Sequence, residues 1–170
     1  MIELERTFLA KSLPSNLMEC ENKEIEDLYI ENGHEHADLR LRKNGDTYEI
    51  TKKKPVDDAD VSKQIETTIH INEAEYNSLA KADGKRVAKT RYYFEHNGRT
   101  AEFDVFSGEL EGLVLVDFEF DTEEERDGFE MPDFCLKDIT QEEFIAGGLL
   151  AGKSYGDIKD DLKRFNYNRL

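Results

Sequence analysis

The 170-residue sequence predicts a mainly β member of the α+β class, an antiparallel sheet rolled so that one charged face is enclosed. Three observations predict it. Apolar and polar residues alternate with period two over much of the chain, Asn-Gly turns separate strand-like runs, and like charges recur at i and i+2 inside those runs. The like-charge pairs are Glu3/Glu5, Arg40/Arg42, Lys89/Arg91 and Asp117/Glu119. Residues i and i+2 of a strand share a face and lie about 6.7 Å apart. At an effective dielectric of about 20, like charges at that separation repel by about 2–2.5 kcal/mol. A face that collects both acidic and basic pairs is best explained by a multiply charged guest between them, which points to a phosphate-and-metal site.

Composition narrows the class. At 170 residues the chain is expected to form one unit with a substantial core. Apolar residues make up 38% and charged residues 36%, with a formal charge of −16. That excess of acid argues against a nonspecific nucleic-acid or membrane binder, although it allows a local basic cavity. Cys20 and Cys135 lie far apart and form no metal or redox motif; with no signal-peptide pattern, they are expected as free thiols in a reducing cytoplasm. No apolar run approaches the roughly 20 residues of a membrane helix.

Strand-period segments fall at 2–9, 27–31, 37–43, 47–53, 64–71, 87–95, 100–106 and 113–120. Asn44-Gly45-Asp46 and Asn97-Gly98 mark two hairpins, so sequence neighbours should pair antiparallel. Asn72 with Glu75, Thr122 with Glu125, and Thr140 with Glu143 have capping-box spacing. Ser154 can cap a last helix through about Arg164, with Ile158, Leu162 and Phe165 on one stripe, giving a C-terminal helical segment over about 140–165. Lys23–Asp27 reads as a short turn of helix, and 54–62 as an exposed acidic loop.

Each strand then divides into an apolar and an ionic face. Glu3, Glu5 and Thr7 oppose Ile2, Leu4 and Phe8; Asp38, Arg40 and Arg42 oppose Leu39 and Leu41. Glu49, Thr51 and Lys53 oppose Tyr48 and Ile50, and Gln64, Glu66 and Thr68 oppose Ile65, Ile69 and Ile71. Lys89 and Arg91 oppose Tyr92 and Phe94, Glu102 and Asp104 oppose Phe103 and Val105, and Asp117 and Glu119 oppose Val116, Phe118 and Phe120. An ordinary sheet with one wet face also alternates. Such faces usually mix opposite charges across strands, whereas here the signs are segregated by strand. Closing the sheet turns the ionic face into a lumen and leaves the apolar face for helices to cover.

The chemistry follows from the side chains. Arg40, Arg42, Lys53, Lys89 and Arg91 offer planar forks and compact charges for phosphoryl oxygens. Glu3, Glu5, Asp117 and Glu119 offer hard oxygen ligands, and Mg²⁺ needs only one or two carboxylates beside waters and substrate phosphate oxygens. Such parts would clamp a polyphosphate with cations and bridge it by a metal, leaving hydrolysis to positioning and electrostatics.

Several motifs resemble one family. The opening Ile-Glu-Leu-Glu-Arg-Thr-Phe-Leu is similar to the ExExK start of the CYTH family, the triphosphate tunnel metalloenzymes. Lys89-Thr90-Arg91-Tyr92 resembles its K-T-R-Y strand, and the run from Phe106 to Phe120 resembles its F-x-G-x-L-x-G-L-x-x-x-E-x-E-F segment. Arg40-x-Arg42 and Tyr48-x-x-Thr51-x-Lys53 match as well, so the resemblance covers most of residues 1–158. It implies an eight-stranded antiparallel tunnel barrel with a polar lumen, flanked by helices, that hydrolyses triphosphates with Mg²⁺ or Mn²⁺. It also implies that Glu3, Glu5, Asp117 and Glu119 hold metal and that Arg40, Arg42, Lys53, Lys89 and Arg91 bind the triphosphate. Lys53 and Glu66 are the expected catalytic residues, with Glu102 and Asp104 in support.

Three positions depart from the family pattern. Asp117 replaces a glutamate, Gln64 replaces the first acid of an E-x-E element, and Thr7 stands where the motif has its lysine. Thr7 removes a phosphate-binding cation, so a lysine placed there is expected to tighten substrate binding or raise turnover. The expected function is metal-dependent hydrolysis of inorganic triphosphate in the cytoplasm. The alternatives are an adenylate cyclase or a nucleoside or thiamine triphosphatase of the same family, or a polyphosphate-binding module without catalysis. The partner is a triphosphate-containing small molecule, with no nucleic acid or membrane, and a homodimer stays open. His34 and His36 read as solvent-exposed turn residues, and Gly147-Gly148 as a breaker near a helix end.

Overall fold

A computed structural model describes residues 2–31, 37–57 and 60–170. Among them nine strands form: β1 (Ile2–Ala10), β2 (Asn22–Ile30), β3 (Leu39–Asn44), β4 (Thr47–Asp57), β5 (Asp60–Ile71), β6 (Gly84–His96), β7 (Arg99–Phe106), β8 (Val114–Phe120) and β9 (Cys135–Asp138). The sheet runs β5-β4-β3-β2-β6-β7-β8-β1-β9, and a further β5–β1 pairing closes the first eight into a barrel. Every pairing is antiparallel. β1 is shared along its length: Ile2–Leu4 pair with β5, while Phe8–Ala10 pair with β9. Positive φ at Asn97 (51°) and Gly98 (78°) turns the β6–β7 hairpin, as expected of a primed two-residue turn.

The apolar faces point outward and most of them are covered, whereas Ile2 of β1 and Ile65 and Ile69 of β5 stay exposed. Phe8, Phe103 and Phe118 are fully buried beneath Phe129 and Phe134, which follow α2 (Glu123–Asp127). Each such side chain contributes about 1.5–3 kcal/mol of burial. α1 (Glu73–Leu79), held by the Asn72/Glu75 capping box, lays Tyr76 against Tyr48, Leu28 and Leu41. At one end of the barrel, Leu9, Phe106 and Leu115 meet Leu150 of α3 (Gly147–Leu150) and Ile158 and Leu162 of α4 (Tyr155–Lys163). The Ser154 capping box starts α4.

The structure corrects four local expectations. Lys23–Asp27 is not helical but lies within β2, where its backbone pairs with β6 from Asn22↔Tyr92 onward. Ladder bonding on both sides outweighs the weak helix preference of that charged run. Within 54–62, residues 54–57 and 60–62 continue β4 and β5, with an irregularity between Pro55 and Asp57 that accommodates the missing proline N–H. Thr140 does not cap a helix; its hydroxyl donates to Asp138 Oδ1 at 2.6 Å, and a 3₁₀ turn at Glu143–Ile145 precedes α3. Gly147 begins that helix rather than breaking one. β9, four residues long, carries too short an alternation to be seen in sequence. His34 and His36 lie outside the described residues.

Candidate active site

The lumen is a cavity of about 640 Å³ into which strands from all round the barrel project. It is lined by every residue singled out above: Glu3, Glu5, Arg40, Arg42, Lys53, Glu66, Lys89, Arg91, Glu102, Asp104, Asp117 and Glu119. Strand order sorts them into arcs. The cations sit on β3, β4 and β6, while six carboxylates sit on the contiguous strands β7, β8 and β1. Lys52, on the opposite parity from Lys53, points outward with a 56% exposed side chain.

The cations are held by internal carboxylates. Arg42 makes a buried two-pronged pair with Asp27, both bonds 2.7 Å. Arg91 grips Asp104 in the same way at 2.7 Å, contacts Glu102, and reaches Asp117 Oδ2 at 3.3 Å. Lys89 also donates to Asp104. Burial opposes ionisation of Asp104, but Arg91 and Lys89 overcome it and hold its carboxyl well below the usual range. Lys53 Nζ lies 2.7 Å from Glu5 and 3.2 Å from Glu3. Burial alone would lower its pKa; Glu5 and Glu3 reverse that and raise it.

Arg40 is the exception. Its Nη2 lies 3.5 Å from Glu66 and its Nη1 donates to the Tyr29 hydroxyl at 3.3 Å. Its Nε is buried with no hydrogen-bond partner among the described residues. A buried charged donor without an acceptor costs about 1–3 kcal/mol or more, so this guanidinium is the least satisfied cation of the lumen among the described residues.

The acidic arc carries the opposite imbalance. Glu5 faces Glu119 and Glu102 faces Asp117 directly across adjacent strands, an arrangement that destabilises a sheet unless a cation intervenes. Burial, then neighbouring carboxylates, push Glu102 up to about 7, and burial with Asp104 and Glu5 pushes Asp117 up to about 6. Among the described residues eleven carboxyl side chains and five cationic ones line the lumen. No three acidic or imidazole side chains among these residues converge tightly enough to cage an ion unaided. The fit to a hard divalent ion rests on donor chemistry alone: carboxylate oxygens of Glu3, Glu5, Asp117 and Glu119 face the lumen, and such an ion completes its shell with water and substrate oxygens.

Among the polar lumen residues that escaped the sequence reading are Asp27, Tyr29, Gln141 and Glu142. Asp27 and Tyr29 lie on β2, where Ile25-Glu26-Asp27-Leu28-Tyr29-Ile30 puts apolar residues on both faces and hides the period of two.

Comparison with known proteins agrees with this architecture. The model of the CYTH domain matches residues 1–143. An inorganic triphosphatase of Nitrosomonas europaea is 32% identical over 153 residues, covering 89% of this chain and 97% of that protein. A solved inorganic triphosphatase structure aligns with a TM-score of 0.64 at 28% identity, over 88% of this chain and 93% of its own. A protein of Bacillus halodurans described as a putative adenylate cyclase shares the fold at a TM-score of 0.58 and 16% identity, over 99% and 91% of the two chains. With its motifs, closed barrel and sequence all in register with that group, the chain belongs to the CYTH domain family.

Proposed function

We propose that this chain is a metal-dependent triphosphatase that hydrolyses inorganic triphosphate to diphosphate and phosphate, using Mg²⁺ or Mn²⁺. The observation that carries the reading is the division of one closed lumen into a basic arc and an acidic arc. The name of the Nitrosomonas europaea relative, matched over nearly its whole length, supports it. The substrate is read as inorganic because ionic side chains dominate the lumen and the relative matched over nearly its whole length is named an inorganic triphosphatase, although Tyr29 and Phe106 in the lining could stack a base.

In this reading Arg40, Arg42, Lys89 and Arg91 take the phosphoryl oxygens, the forked arginines fixing orientation and Lys89 acting as a point charge. Glu3, Glu5, Asp117 and Glu119 would hold the divalent ion, which supplies charge neutralisation at the phosphoryl oxygens when bound. Lys53 and Glu66 are opposite one another in the β4–β5 ladder. Glu66 orients the attacking water and accepts its proton, and Lys53 steadies the charge gathering on the terminal phosphoryl group. The water oxygen bonds to the terminal phosphorus as the bridging P–O bond breaks, and that electron pair leaves with diphosphate. Glu102 and Asp104 keep Arg91 and Lys89 in place.

The test is phosphate release from tripolyphosphate with Mg²⁺ or Mn²⁺, abolished by EDTA and by Glu5→Gln. Saturable tripolyphosphate binding without turnover would replace the enzyme with a binding module. Cyclic AMP formed from ATP would replace hydrolysis with cyclisation.

A further inference from the structure

Thr7 lies on the lumen-facing parity of β1, directly opposite Asp117 of β8, and only 8% of it is exposed. Its hydroxyl donates to Asp117 Oδ1 at 2.6 Å, the short distance of a charge-assisted O–H···O⁻ bond. Its own amide is fixed by Thr140 Oγ1 at 3.0 Å, and Thr140 in turn bonds Asp138 Oδ1 at 2.6 Å. The second oxygen of Asp117 is approached by Arg91 Nη2 at 3.3 Å. The carboxylate is thus anchored on one oxygen by a hydroxyl that is itself tied to the backbone of β1.

We infer that Thr7 is a positioning residue: it orients the Asp117 carboxylate so that Oδ2 is presented to a divalent cation. The inference rests on the reading of Asp117 as a metal ligand. A hydroxyl does this without adding charge. An ammonium at the same place would neutralise Asp117 and compete with the ion for its oxygens. Side-chain lengths match as well. Cβ atoms opposite one another on antiparallel strands are about 4.5–5.5 Å apart, so a threonine hydroxyl meets an aspartate oxygen between them. A glutamate would carry its oxygens past that hydroxyl. Threonine at 7 and aspartate at 117 therefore work as a complementary pair, and position 7 is an anchor rather than a missing phosphate ligand.

The experiment is a Mn²⁺ titration of the substrate-free protein, read by the EPR signal of free Mn²⁺, beside thermal melts. Thr7→Val, which keeps the shape and removes the hydroxyl, should weaken Mn²⁺ binding by about 10-fold or more, the usual effect of losing an outer-shell partner. Thr7→Ser should restore parental affinity, and Thr7→Lys should weaken it. In turnover, Thr7→Val should be rescued by saturating Mn²⁺, which a merely structural defect would not be. Parental Mn²⁺ affinity in Thr7→Val, with loss in Asp117→Asn, overturns the anchor; so does tighter binding in Thr7→Lys. Unchanged affinity in Asp117→Asn instead overturns the reading of Asp117 as a ligand. Should Thr7→Val fail to fold, Thr7→Ala against Thr7→Ser makes the same comparison.

Discussion

Lys53 Nζ donates to Glu5 Oε2 at 2.7 Å, with Glu3 Oε2 a further contact at 3.2 Å. This ammonium reaches into the acidic arc rather than the basic one. It must give way if those two glutamates are to hold a metal, and in giving way it becomes available to phosphate. Lys53→Met should therefore bind Mn²⁺ more tightly than the parent when no substrate is present. Its turnover should fall by about 100-fold or more, on the scale of losing a participating side chain. Weaker Mn²⁺ binding in this variant would show that Lys53 does not compete with the ion.

Arg40 gives a second prediction. Its buried Nε has no acceptor among the described residues, and only a planar guanidinium can present Nε and Nη atoms to one phosphoryl group. Arg40→Lys keeps the charge and loses the fork, so the KM for triphosphate should rise about 10-fold. Steady-state kinetics checks this; an unchanged KM would place Arg40 outside the substrate contacts.

Glu102 contributes to the pH dependence of stability, in the same direction as Asp117 and Glu119. Burial comes first among the causes that raise its carboxyl to about 7, against an ordinary value of 4.5. Between those values the folded state keeps a proton that the unfolded chain has released. Its contribution thus favours folding in acid and is lost as pH rises through about 7. Urea unfolding should show the parent losing more stability than Glu102→Gln between about pH 5 and about pH 8. Parallel curves would remove Glu102 as the cause.

Gly147 permits a close approach that no other residue allows. A Cβ there would lie 2.1 Å from the Tyr29 hydroxyl oxygen, the atom that accepts from Arg40. Gly147→Ala should cost about 1–3 kcal/mol through overpacking and weaken triphosphate binding by displacing Tyr29. Adding Tyr29→Phe, which removes the clashing oxygen, should recover much of the lost stability. Additive losses in the double variant would contradict the contact.

Local properties of the chain were readable before any fold was known. Period-two alternation reported which face of β1, β3, β7 and β8 carries charge, and the Asn97-Gly98 turn reported which runs are joined, because both depend on residues a few positions apart. Where the alternation is two-sided, as around Asp27 and Tyr29, or the strand short, as in β9, the signal fails.

The sequence by itself determined that this protein has an ionic face of segregated signs and an apolar face to be covered. Only the tertiary structure decided which strands stand side by side: that β7, β8 and β1 join into one acidic arc facing β4, β3 and β6, and that Thr7 meets Asp117. Those are pairings between distant segments, Thr7 and Asp117 standing 110 residues apart, and no local pattern of side chains encodes which distant strand will supply the neighbour.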